Sequence, residues 1–350
     1  MRGAGHSNNF DFIRVVAASL VIWSHQYGLM GRPEPEAFPG FSFGGIGVLI
    51  FFSLSGYLVA QSWDRDPSLP RFAAKRALRI FPGLICVTLL MAFLMGPKVS
   101  TLDHADYFAS RDVWHFIVRT IGLWDMPDHL PGVFVNNHVG TVNSSLWTIP
   151  VELKWYGFLA FLGLFGVLRT RFVLPAMVLA LAFCRFILPM PLTHHVLLEF
   201  GLCFLSGSMM HACRADLQRY ANWIKPGIAA AAVVFWLLRM EYLAIVIALP
   251  FVVVTLGSMS SPVLRRFGRF GDLSYGLYIY AFPIQQTIIH SSHNTQPLWL
   301  NLIASAAAIS ALAFLSWHLI EQPANGLKRY LKRDRSKVSV SPHADPAHNH

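Results

Sequence analysis

The feature that most constrains this chain is a succession of apolar runs, each about 20 residues long, which is the length a helix needs to cross a bilayer. Such runs cover 12–30, 44–62, 78–96, 147–168, 172–188, 195–212, 222–238, 242–259, 272–290 and 299–320. With 54% apolar residues, 13% charged residues and a mean hydropathy of +0.47 in 350 residues, the chain has more apolar surface than a water-soluble fold can hide. A soluble enzyme, a disordered chain and a disulfide scaffold are excluded. The expected fold is all-α, a polytopic membrane helix bundle of about ten transmembrane helices. The first run lacks a small-residue cleavage site and reads as a retained span rather than a signal peptide. The cysteines Cys86, Cys184, Cys203 and Cys213 lie in or beside apolar runs without metal-ligand spacing, and read as small apolar residues.

Charge placement orients the bundle. With the N-terminus in the cytoplasm, the 28 Lys and Arg fall mostly on the inner side. The outer segments hold only Arg32, Lys98, Arg111, Arg119 and Arg239, while Lys154 and Arg185 lie within spans. This asymmetry satisfies the positive-inside rule and puts both termini in the cytoplasm. It also explains the basic balance without any nucleic-acid partner. Residues 1–333 read as one membrane-embedded domain and 334–350 as a disordered cytoplasmic tail. The longest loop, 97–146, lies outside and reads as a structured cap, with 113–124 as a helix in the interface. No internal repeat is present, no metal site is expected, and nothing in the sequence sets an oligomeric state.

Ionisable residues inside a span are costly and mark function. In span 1, Arg14 and His25 are eleven positions apart, so they share one helix face about 16.5 Å apart along the axis. Asp11, three positions before Arg14, is a pairing partner. The plain alternative for His25 is a core histidine bonded to a neighbouring helix. In the inner loop leading into the third run, Arg76 and Arg79 share a helical face, flanked by Arg71 and Lys75. They read either as ordinary anchors or, with Arg14, as an anion site at the cytoplasmic surface. Glu152 and Lys154 open the fourth span. Glu152 lies about 8 Å below the outer end of its helix, a depth at which it meets His25; its plain alternative is a pair with Lys154. The plain reading of Ser53 and Ser55 is a hydrogen bond back along their helix; Arg185 and Glu199 are placed to pair across spans 5 and 6, and Glu321 to hold the cytoplasmic base.

Several motifs together resemble the acyltransferase 3 family of integral-membrane O-acyltransferases, which modify surface polysaccharides and lipopolysaccharide O-antigens. Asp11, Arg14 and His25 match the family's first-span pattern, and Arg76 and Arg79 before Phe81-Pro82 match its paired arginines. GGIGVLIFFSLSGYLVA resembles the second-span segment, and SSLWTIPVELKWY a fourth-span segment that places Trp147, Glu152 and Tyr156. GDLSYGLYIYAFPIQ, with Tyr278, resembles the ninth-span motif, and HLIEQP the closing one. The resemblance runs from about 10 to 325. Two positions depart: Ala281 stands where the family has a histidine, and Lys154 where it often has a neutral residue.

The resemblance implies an acyl-CoA donor, most often acetyl-CoA, and a glycan or glycolipid acceptor, at a bacterial inner (cytoplasmic) membrane, with no tightly bound cofactor. Arg14, Arg76 and Arg79 would take the CoA phosphates. An extended pantetheine arm matches the distance up to His25. His25 would act as general base or as an acyl relay, with Glu152 orienting it. Ser53, Ser55, Trp147, Tyr156 and Tyr278 are supporting candidates, the first four of them for the oxyanion. A transporter or flippase for a polysaccharide precursor is the competing class; it predicts broken midplane helices and inverted repeats, and neither is visible.

Overall fold

The structure, a computed structural model, describes residues 8–170, 172–188 and 192–331. The tail at 334–350 lies outside the described residues, so the expected domain limits are not addressed. Helix α1 (Phe10–Leu29) leads through a hairpin, β1 (Glu36–Phe38) and β2 (Phe41–Ser42), into α2 (Phe43–Arg65). After α3 (Leu69–Leu89) a π-helical stretch, Leu90–Met95, continues into α4 (Gly96–Val99). The short α5 (His104–Ala109) and α6 (Arg111–Gly122) precede an irregular segment and α7 (Thr148–Leu164). Then follow α8 (Val173–Ile187), α9 (Leu192–Ala212), α10 (Arg214–Arg219), α11 (Ala221–Leu237) and α12 (Glu241–Ser258). A 3-10 segment, Leu264–Phe270, leads to α13 (Ser274–Ser291) and α14 (Leu298–Ser316). The last helix continues through π-helical Trp317–Glu321 into α15 (Gln322–Gly326) and a 3-10 turn, Leu327–Leu331.

The chain is 77% helical with almost no sheet, an all-α membrane protein. Each of the ten apolar runs is a helix. By length and composition, four helices are long and apolar enough to cross a membrane: Phe43–Arg65, Leu69–Val99, Glu241–Ser258 and Leu298–Leu331. α8, α11 and Val196–Ala212 are shorter apolar helices, and α1, α7 and α13 carry the polar residues of interest.

Small residues let the central helices approach closely, as membrane helices require when lipid offers no hydrophobic drive. Gly44 of α2 abuts the Ser24 side chain and Gly47 abuts Ala17 and Val21. On the other side of α2, Gly56 meets the Phe204 carbonyl and Gly207 of α9 meets the Ser53 carbonyl. Ser208 Oγ donates to the Gly56 carbonyl, 3.1 Å away. These contacts set the register. α1 and α2 run antiparallel, with Gly44 beside Ser24 and with Leu54 clustered on Phe10, Ile13 and Ala17.

The long loop is structured, as expected, but does not stay at the surface of the helix bundle. α5 and α6 are capped by Asp103 and Ser110, whose side chains accept backbone N–H bonds. α6 buries Val113, Phe116 and Thr120 and exposes Trp114 and Val118. Beyond α6 the chain re-enters. Val133, Phe134, Val142, Asn143 and Leu146 are buried. Gln286 Nε2 donates to the carbonyls of Val139 and Thr141 at 2.6 and 2.7 Å, and Asn143 Nδ2 donates to Ile279 O at 2.9 Å. Irregular backbone at membrane depth survives only where protein groups satisfy it. From Gln286 down to Tyr278 the loop descends eight residues of α13, about 12 Å. α7 therefore starts deep, with Thr148 Oγ1 2.8 Å from Tyr278 OH.

Candidate active site

That deep start decides where Glu152 lies. Ser55 Oγ donates to Glu152 Oε1 at 2.5 Å, and the Tyr156 hydroxyl, one turn on, donates to the same oxygen. Ser55 belongs to the stretch of α2 that packs on Phe10–Arg14, so Glu152 sits at the level of Arg14. The expected meeting of Glu152 with His25 is overturned: about three helical turns separate their levels. The alternative pair with Lys154 fails too. Lys154 is exposed, two residues on and on another face of α7.

Around Glu152 opens a cavity with about 800 Å³ of empty volume, its mouth included. Arg14, Arg76 and Arg79 line its base, together with Ser55, Glu152 and Tyr156. The three arginines of the sequence reading thus converge. Their partners differ. Asp272, just before α13, accepts from Arg14 Nη1 at 2.9 Å and from Arg79 Nη2 at 2.6 Å through one oxygen; Ser274 Oγ donates to the other at 2.7 Å. Asp11 is only a distant partner of Arg14, at 3.8 Å. Arg76 forms no ion pair among the described residues. Its guanidinium lies 5.8 Å above the Tyr156 and Phe72 rings, its Nη2 reaches Ser62 Oγ at 3.4 Å, and its Nε is buried without a partner. Arg71 and Lys75 turn away to Asp66, each at 2.6 Å. The Arg71 hydrogen bond, with the help of Lys75, holds the Asp66 carboxyl well below the usual carboxylate range.

Apolar walls rise from this base along Phe51, Phe52 and Ile149 to Val48. Val48 follows Gly47, which packs on α1 at Ala17 and Val21. The cavity therefore stops about one turn short of His25. His25 does not line it. The His25 ring is half-buried, edge-on to Phe282 at 5.6 Å, and its Nδ1 is buried without a hydrogen-bond partner. The neighbouring residue on α1, Ser24, donates to the Glu34 carboxylate at 2.5 Å.

The supporting candidates divide. Ser55, Tyr156 and Tyr278 line the cavity. Ser53 does not: its Oγ donates to Leu49 O at 2.7 Å at the α2–α9 contact. Trp147 stacks on Phe200 at 5.6 Å, outside the cavity. Ala281 is buried among Ala18, Ile22, Ile309 and Ala313, so the missing family histidine is replaced by plain packing. Arg185 and Glu199 pair at 2.6 Å, as expected, and buried Glu321 accepts from Ser316 at 2.8 Å. No metal-ligating cluster occurs among the described residues. The sequence reading missed Asp272, Glu34 and Tyr275, the last of which lines the cavity. Asp272 had no local signal, since its partner Arg14 is 258 positions away.

Comparison with known proteins identifies the family. The acyltransferase 3 family, described as an acyltransferase domain, matches residues 7–318. An O-acetyl transferase of Shigella phage Sf6 is 33% identical over 95% of this chain and 99% of its own. Nodulation protein 10 of Rhizobium leguminosarum bv. viciae is 28% identical over 96% and 98%. The peptidoglycan O-acetyltransferase OatA of Listeria monocytogenes is 25% identical over 84% of this chain and 54% of its own. No solved structure matches. With nearly its whole length matched, the chain belongs to the acyltransferase 3 family of membrane enzymes and is an O-acetyltransferase.

Proposed function

We propose that this enzyme moves an acetyl group from acetyl-CoA, bound from the Arg14 end, to a hydroxyl of a cell-surface or exported glycan reached from the His25 end. In this reading the ten apolar helices span a bacterial inner membrane, both termini are cytoplasmic, and the Arg14 end faces the cytoplasm. The observation that carries it is the cavity: three guanidiniums at its base, apolar walls above, and a histidine one turn beyond its top. Guanidinium forks suit phosphate oxygens, and Arg76, with its unpartnered Nε, is the readiest of the three. The apolar walls suit a pantetheine arm, which keeps the nucleotide at the base while the thioester reaches His25.

His25 takes the proton of the acceptor hydroxyl as its oxygen bonds to the acetyl carbonyl carbon. Collapse of the tetrahedral intermediate breaks the C–S bond, and the proton passes from His25 to the departing CoA sulfur. Glu152, Ser55 and Tyr156, too deep to touch His25, form the polar floor beside the arginines and hold the donor. The glycan acceptor rests on the family and on the names of the relatives.

Inverted membrane vesicles given acetyl-CoA and extracted surface glycan test the reading by free CoA thiol. Release by the wild type, loss in His25→Ala and a raised KM for acetyl-CoA in Arg76→Ala are expected. Equal release by wild type and His25→Ala would remove His25 from the chemistry.

A further inference from the structure

His25 is left without the orienting carboxylate that the sequence assigned to it. A histidine acting as a base works best when a third group fixes its ring and stabilises the imidazolium. Glu152 is about three turns below and bonded to Ser55 and Tyr156. Another carboxylate lies alongside. After α1 the chain reverses, and Glu34, held between Pro33 and Pro35, comes back against the outer end of the helix. Its Oε2 accepts from the Ser24 hydroxyl at 2.5 Å. Its Oε1 lies over Gly28, where a Cβ would stand 3.1 Å from it.

Ser24 and Gly28 are one turn apart on the same helix face, so the carboxylate bridges the turn to which His25 belongs. Gly28 is the residue that leaves room for it. Ser24 is fully buried and Glu34 half-buried, so the charge acts where water screens it poorly. His25 Nδ1 is buried and unpartnered, and a carboxylate has lone pairs to spare beyond the one Ser24 occupies.

We propose that Glu34 is the positioning residue for His25, anchored by Ser24 and admitted by Gly28, and that it holds the ring and stabilises the imidazolium formed during acetyl transfer. This rests on the general-base reading of His25. Glu34 touches neither donor nor acceptor. The proton stays on His25 until it leaves with CoA.

The test uses the purified full-length enzyme in nanodiscs with acetyl-CoA and extracted surface glycan, comparing wild type, His25→Ala, Glu34→Gln, Glu34→Asp and Ser24→Ala. Glu34→Gln is expected to lower kcat by about 10- to 100-fold while the KM for acetyl-CoA stays within about twofold. Glu34→Asp should recover part of the loss, because the charge returns at shorter reach. Ser24→Ala should lower kcat severalfold, since the carboxylate keeps its charge but loses its anchor. An inactive His25→Ala beside a Glu34→Gln of wild-type kcat would overturn the proposal and leave the base reading intact. A His25→Ala of wild-type rate would overturn both. If Glu34→Gln does not fold, wild-type kcat in folded Glu34→Asp and Ser24→Ala overturns the proposal equally.

Discussion

Replacing Asp272 by Asn probes the base of the site most sharply. One carboxylate oxygen of Asp272 serves both Arg14 and Arg79, and the three side chains are 16%, 20% and 21% exposed. At ~4 Å and an effective dielectric of ~20, each ion pair is worth about 4 kcal/mol before desolvation. Removing one partner of a buried pair costs about 3–5 kcal/mol, mostly because the remaining charge is stranded. Here two guanidiniums are stranded together. Against that, water reaches a fifth of each, and the Asn amide oxygen keeps one hydrogen bond. A net loss of about 2–3 kcal/mol is the result. For a chain of this size about 1–2 °C accompanies each kcal/mol, so the thermal midpoint of the purified protein should fall by about 2–6 °C at a fixed scan rate. The stranded cations should also bind anions. Pyrophosphate at about ten times its Kd should return about 1.4 kcal/mol, more in Asp272→Asn than in the wild type. A variant that melts within about 1 °C of wild type, or that chloride at equal ionic strength restores as well as pyrophosphate does, would refute the reasoning.

Two further expectations follow from neighbouring positions. Gly56→Ala would drive a methyl into the Phe204 carbonyl oxygen; both groups are backbone-borne and neither can swing away, so α2 and α9 must separate and the yield of folded protein in membranes should collapse. Ser55→Ala removes a cavity-floor bond to Glu152 and should raise the KM for acetyl-CoA, whereas Ser53→Ala, two residues away on the α9 side, should leave it unchanged; the same thiol assay reads both.

Much of this molecule is legible in its sequence, and the limit of that legibility is physical. Helix periodicity places Arg14 and His25 on one face because the rule is local, and the Arg76–Arg79 spacing works in the same way. The Arg185–Glu199 pair is readable because consecutive helices α8 and α9 bring the end of one beside the start of the next. What local rules cannot give is depth. The sequence places Glu152 by counting from the start of α7, and that start lies deep in the bundle because Val142, Asn143 and Leu146 are carried inside it. Nothing in the composition of the 97–146 loop announces that descent. Asp272 is invisible for a related reason: an ion pair closed across 258 positions leaves no spacing to read. Glu34 did leave a signal, a lone acid between two prolines nine positions after His25, which makes it a rigid reversal rather than a solvated loop.

The buried loop also answers a problem that α13 creates for itself. Pro283 lies inside that helix, so it has no N–H to give the carbonyl four residues back, that of Ile279. An orphan carbonyl at membrane depth costs about 1–3 kcal/mol. Asn143 is 3% exposed, and its Nδ2 donates to that carbonyl at 2.9 Å. The descent of the loop and the proline of the helix are therefore one device, each half incomplete alone. A double-mutant cycle tests it. Asn143→Ala alone should destabilise by about 1–3 kcal/mol. In a Pro283→Ala background the new N–H satisfies Ile279 within the helix, and the cost of Asn143→Ala should shrink by about 1 kcal/mol or more. Equal costs in the two backgrounds would mean that Asn143 serves only its own loop, and that the depth of Glu152 is set by the apolar contacts of Val142 and Leu146 instead.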